Sequence, residues 1–91
     1  MLNAFSATVR GRVQGVGFRY FAKRQAEELH LTGWVRNLPD GTVELLAKGP
    51  VPALEQFMQS LEAGPIGSRV DKIDSQWLQE SQDFKGFEIR G

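Results

Sequence analysis

Twice along this 91-residue chain, apolar residues that alternate give way across glycines to apolar residues at helical spacing, and alternation then returns. From 5 to 13, Phe5, Ala7, Val9, Gly11 and Val13 alternate with Ser6, Thr8, Arg10 and Arg12. That period of two marks a strand with one buried and one wet face. Gly15 and Gly17 break it, and Phe18, Phe21, Ala22, Ala26 and Leu29 then form one helical stripe opposite Lys23, Glu27 and His30. The helix is expected to stop near Leu31, before Gly33. Trp34, Val35 and Leu38 start a second strand, Pro39-Asp40-Gly41 is a tight-turn signal, and Thr42 to Lys48 alternates again, so the pair reads as a hairpin. Gly49-Pro50 ends it. Pro52 suits a first helical turn, and Leu54, Phe57, Met58 and Leu61 carry the second amphipathic helix to Gly64-Pro65. Residues 69–78 read as a fourth strand, and Phe84 to Arg90 as a short fifth.

The order is β-α-β-β-α-β with a short last strand. Two helices with one apolar stripe each must cover one face of a sheet. Right-handed crossovers make the first and second strands run the same way, with the third between them. The predicted fold is therefore an α+β, ferredoxin-like sandwich: an antiparallel sheet of order 4-1-3-2, a short fifth strand, and two helices on one face. The length suits a single domain, 1–91. In this topology the glycine loop after the first strand and the end of the second, near Asn37, meet at one edge of the sheet.

Composition narrows the chemistry. There is no cysteine, which excludes disulfides, thiolate metal sites and a cysteine nucleophile, and the single histidine, His30, excludes any site needing two imidazoles. His30 is expected to be solvated near a helix C-terminus. No apolar run reaches membrane-spanning length, and no basic residue precedes Arg10, so neither a membrane span nor a signal peptide is expected and the chain reads as cytoplasmic. Net charge is zero, but residues 1–36 hold six basic residues against two acidic ones, a local +4 balanced by −4 in the remainder. A local excess favours a small anion. A polyanion would call for a basic excess over the whole domain, so no nucleic-acid partner is expected.

The anion would sit at Val13-Gln14-Gly15-Val16-Gly17-Phe18-Arg19. Glycines allow successive N–H groups to converge as an anion nest. A helix starting at Phe18 adds free amides and the positive end of its dipole. Arg19 adds a planar, permanently charged fork matched to phosphate oxygens. Other glycine loops fit less well: a dinucleotide fingerprint would need glycine where Tyr20 stands, and a P-loop needs a lysine that does not occur before Lys23. The plain alternative is a tight turn with no ligand. Asn37 is likewise open to two readings. It suits the turn that follows, and it stands where a neutral amide could hold a phosphate oxygen or an attacking water.

Such a site has no histidine base, no thiol and no evident metal cluster, and Asp40 is better placed as a turn residue. Phosphate monoesters are very hard to hydrolyse. An acyl phosphate loses a carboxylate whose conjugate acid has a pKa of roughly 4, so it leaves without a general acid. Positioning and charge stabilisation then suffice.

Val9-Arg10-Gly11-Arg12-Val13-Gln14-Gly15-Val16-Gly17-Phe18-Arg19 resembles the first signature of the acylphosphatases, and Gly33-Trp34-Val35-Arg36-Asn37 with Gly41-Thr42-Val43 and Gly49 resembles the second. Both match throughout, and the Phe87-Glu88-Ile89-Arg90 ending is compatible. The resemblance implies a small, cofactor-free hydrolase acting on the carboxyl–phosphate bond of small acyl phosphates; no metal is expected, and nothing in the sequence demands more than a monomer. It implies that Arg19 binds the phosphate and Asn37 orients the water. The backbone amides of Gln14, Gly15, Val16, Gly17 and Phe18 would cradle the phosphate oxygens.

Two other readings compete. Ferredoxin-like sheets also bind RNA, and Lys85-Gly86-Phe87 is similar to the start of an RNA-binding motif, although Glu88 would repel phosphate and Phe87 suits a core. A phosphate-binding domain without turnover is the second, as in larger carbamoyl-transferring maturation enzymes with an acylphosphatase-like domain at one end. A chain starting at Met1 and ending after the last strand is expected to stand alone. Trp34 and Trp77 are expected in core or sheet-face packing, and Arg12 and Arg36 on the surface near the site.

Overall fold

A computed structural model of the chain describes residues 2–91. Its elements are β1 (Ala4–Arg12), α1 (Phe18–Glu28), β2 (Thr32–Asn37), β3 (Val43–Lys48), α2 (Val51–Ala63), β4 (Arg69–Leu78) and β5 (Phe87–Arg90). The sheet order is β4-β1-β3-β2-β5. The four-stranded part is antiparallel, as expected, with Val9 level with Val43, and Val43 level with Asn37. β5 adds to the free edge of β2 in parallel, so the complete sheet is mixed. It is shorter than the expected 84–90, because the chain first has to reach that edge. Gly86 marks its arrival, where its carbonyl accepts the Gly33 N–H at 3.0 Å.

One sheet face meets the helices. Phe5, Ala7 and Val9 of β1 pack there with Val35, Leu45, Phe18, Leu54, Phe57 and Leu61, all nearly or wholly buried. Phe87 joins them edge-on to Phe57 at 5.8 Å between ring centroids. It is core, so the aromatic of the RNA-motif reading does not lie on the open face. That face carries paired charges instead: Arg10 with Asp74 and Arg36 with Glu44 across strands, and Lys72 with Asp74 along β4. Trp34 lies there under the guanidinium groups of Arg36 and Arg90, at 5.3 and 5.4 Å. Trp77 packs on Phe5.

Helix α1 ends sooner than the first visible glycine suggests. His30 takes the left-handed conformation at φ 57°, alone among non-glycine residues described. The Leu31 N–H then donates to Ala26 C=O at 2.8 Å and the His30 N–H to Glu27 C=O at 3.1 Å. This pair of bonds is the Schellman closure, with a histidine in the place usually taken by glycine. The His30 side chain is exposed, as expected.

Candidate active site

The loop between β1 and α1 is pinned at both ends. Val13 and Phe18 are each 1% exposed, and Val16 between them packs against the core. Gly15 and Gly17 have φ of 74° and 76°, a region that costs most residues free energy. A methyl group on either would meet no protein atom within 4 Å, so conformation alone calls for glycine there. The loop is thus held in one shape without being filled.

Gly17 caps α1 without any side-chain hydrogen bond, and no acidic residue stands in the first turn. The first helical bond runs from Phe21 N–H to Gly17 C=O at 3.0 Å. The amides of Phe18, Arg19 and Tyr20 precede it and have no helical acceptor. The positive end of the helix is therefore uncompensated by the protein.

Arg19 lies beside these amides, partly buried. Among the described residues, seven basic side chains form ion pairs, and Arg19 is not one of them. A partly buried, unpaired guanidinium is a standing demand for an anion.

Asn37 closes β2 on the same side. Its Oδ1 is buried and has no hydrogen-bond partner. Buried acceptors left this way are rare and call for a specific cause. Arg19 and Asn37 line one cavity of about 110 Å³ together with Gly15, Gly17 and Tyr20. One water occupies roughly 30 Å³ in the liquid, so the cavity has room for a few water-sized groups. Three larger hollows lie elsewhere, on the open sheet face, between α2 and β4, and between α1 and α2, at about 260, 410 and 380 Å³. Of their charged side chains, Glu44, Asp74, Asp71 and Lys72 are already ion-paired, and the others, Glu28 and Glu62, are acidic.

The turn after Asn37 is self-contained. Asp40 accepts from the Thr42 hydroxyl at 2.6 Å and from the Thr42 N–H at 3.0 Å. The hydroxyl first, and the amide next, hold its carboxyl below the ordinary value of 3.8. Asp40 is thus an ionised turn residue, as the sequence suggested, and not a proton donor. Thr42 is buried and carries this turn.

The structure brings the loop residues Gly15 and Gly17, the helix start at Phe18 and Arg19, and Asn37 to a single cavity. The Gln14 and Val16 side chains are turned to other work. Val16 packs on the core. Gln14 donates from Nε2 to Leu38 C=O and to Thr42 C=O, each at 2.8 Å. That role of the Gln14 side chain was not foreseen. Its partners lie 24 and 28 residues away, and no local pattern announces them. Tyr20 also lines the cavity, which its place in the first helical turn could have suggested.

A ferredoxin-like sandwich with a glycine loop running into an uncapped helix at its first strand–helix junction defines a class of small α+β proteins. Within that class this chain belongs to the acylphosphatase family, whose sequence model matches residues 5–89. It is 51% identical over 83 residues to the acylphosphatase of Thermus thermophilus, covering 91% of this chain and 93% of that one. It is 48% identical over 85 residues to that of Salinibacter ruber, covering 93% and 90%. The crystal structure of the Bacillus subtilis acylphosphatase superposes with a TM-score of 0.95 at 41% identity, over all of both chains.

Proposed function

We propose that the cavity holds the phosphoryl group of a small acyl phosphate, and that this chain hydrolyses the carboxyl–phosphate bond to carboxylate and inorganic phosphate. The observation that carries the reading is that Asn37, whose Oδ1 has no hydrogen-bond partner among the described residues, lines the same cavity as the unpaired Arg19. A carbonyl oxygen with free lone pairs accepts a hydrogen bond from water, while Arg19 and the amides from Gln14 to Phe18 surround an oxyanion. Water held on Asn37 attacks phosphorus, and a P–O bond forms as the bond to the acyl oxygen breaks. The electron pair leaves with the carboxylate, and the proton lost by the water ends on inorganic phosphate or solvent. Fixed donors around the phosphoryl oxygens stabilise the charge moving through the transition state.

The same proposal treats residues 1–91 as one functional unit that acts as a monomer in the cytoplasm without metal or cofactor. Support comes from the leaving group, which departs without an acid or a Lewis acid. A cavity built from one chain needs no second copy. The direct test is phosphate release from benzoyl or acetyl phosphate in the presence of a chelator. Release at an undiminished rate is expected. Absence of release with inorganic phosphate still bound would leave a binding domain, and release only with added metal would overturn the mechanism.

A further inference from the structure

We propose that the Gln14 carboxamide is a positioning residue, which sets the separation between the phosphate loop and the water held by Asn37. The inference rests on the function proposed above. Its basis is a bridge between two elements that no strand pairing joins. The loop follows β1 and Asn37 ends β2, and β3 lies between those strands.

Gln14 spans the gap with one nitrogen. Nε2 has two hydrogens, and both are used, on Leu38 C=O and Thr42 C=O at 2.8 Å each. These two carbonyls are the ones that close the turn. Leu38 C=O also accepts from Gly41 N–H at 3.1 Å, and Thr42 C=O also accepts from Leu38 N–H at 2.9 Å. Gln14 takes the second lone pair of each, so it grips the turn at its two ends. Leu38 is the residue after Asn37, and Gln14 is itself part of the cradle. The bridge thus runs from the phosphate site to the neighbour of the water site through one side chain.

The chemistry of the position is narrow. A methionine has the reach but no donor. An asparagine has the donors but is one methylene too short for both carbonyls. A misplacement of about 1 Å between reacting groups can cost on the order of 100-fold in rate.

Because Gln14 acts through Asn37, its loss should change kcat and leave phosphate binding in place. For Gln14→Met, kcat on benzoyl phosphate should fall about 10- to 100-fold, while the inhibition constant of inorganic phosphate moves by less than about threefold. The deciding readout is a double-mutant cycle with Asn37→Ala, run with both Gln14→Met and Gln14→Asn so that one unstable variant does not end the test. In the Asn37→Ala background either Gln14 change should lower kcat by less than about twofold. Multiplicative effects, an unchanged kcat in the single variants, or a loss confined to phosphate affinity would each overturn the positioning role. If the unmodified chain releases no phosphate from benzoyl phosphate, the failure belongs to the proposed function and not to Gln14.

Discussion

Asn3 and Asn37 are both partly buried, and they stand at opposite edges of the same sheet. Asn3 is fully used. Its Nδ2 donates to Glu80 C=O at 3.1 Å, and its Oδ1 accepts the Glu80 N–H at 2.8 Å. Around it, Lys48 is bound to Gln82 C=O and to the Asp83 carboxylate, and α1 ends in a closed Schellman turn. At the other edge, among the described residues, no protein group partners Asn37 Oδ1, Arg19 pairs with no carboxylate of the protein, and α1 begins without a side-chain cap. The same residue type and the same helix are thus finished at one end and unfinished at the other. Polar groups at the closed edge hold chain segments together. At the open edge Gln14 and Asp40 are also bonded to the protein, but Asn37 Oδ1 and Arg19 are not, the arrangement expected where stability is traded for function.

The largest effect should come from Arg19→Ala. It should lower kcat/KM on an acyl phosphate by about 1,000-fold or more, from weaker binding and slower chemistry together. Because Arg19 loses no protein partner, unfolding free energy should stay within about 0.5 kcal/mol. Activity near that of the unmodified chain would take Arg19 out of the site. A large loss of stability would instead move it to the closed class of residues.

The two asparagines give a crossed pattern. Asn37→Ala should lower kcat about 100-fold and leave the inhibition constant of phosphate within about threefold. Its stability should hold or rise slightly, since an unsatisfied buried acceptor is removed. Asn3→Ala should do the reverse. It strands both the Glu80 N–H and C=O, at a cost of about 1–2 kcal/mol, while turnover per folded molecule is unchanged. Steady-state kinetics beside urea unfolding reads both halves. Identical behaviour of the two variants would dissolve the contrast between the edges.

How far the contrast was legible in sequence depends on distance along the chain. The loop announces itself because its glycines, its helix start and Arg19 lie within a few residues. Alternation located β1 and β3 within a residue or so, since a half-buried strand has to alternate, whereas β4 matched its expected 69–78 although its pattern is less clean and its residues are mostly exposed. The end of α1 was misplaced because Gly33 looked like its stop, whereas His30 closes the helix from an unfavourable φ that no residue type signals. The ambiguity at Asn37 has a physical origin. It is the last residue of β2 and adjoins a turn, so the same residue satisfies both readings. The Gln14 bridge was out of reach, because its two acceptors are backbone carbonyls and carry no sequence signature.

A smaller effect concerns pH at the open edge. Asp40 in the folded chain titrates below its ordinary 3.8, owing to the Thr42 hydroxyl and amide. In that window the unfolded chain binds more protons, so stability falls as pH is lowered. The contribution is complete above the ordinary value and disappears as pH drops through the folded one. Asp40→Ala should flatten this limb of the urea-midpoint profile. An acid limb of the same slope in the variant would assign the effect to other carboxylates.

The smallest effect is expected at the closed edge, and it is stabilising. His30 holds a left-handed backbone at φ 57°, which costs a β-carbon-bearing residue roughly 1–2 kcal/mol. His30→Gly removes that strain, and the greater freedom of glycine in the unfolded chain returns about 0.4–1 kcal/mol of it. The balance is a gain of about 0.5 kcal/mol, visible as a small rise in urea midpoint with unchanged kcat and KM. Gly15 and Gly17 sit at φ values within 20° of this one, so alanine there should carry the same penalty with the opposite sign, and should also alter catalysis. If His30→Gly changed turnover, the two ends of α1 would be coupled, and the division between a finished edge and an unfinished one would not hold.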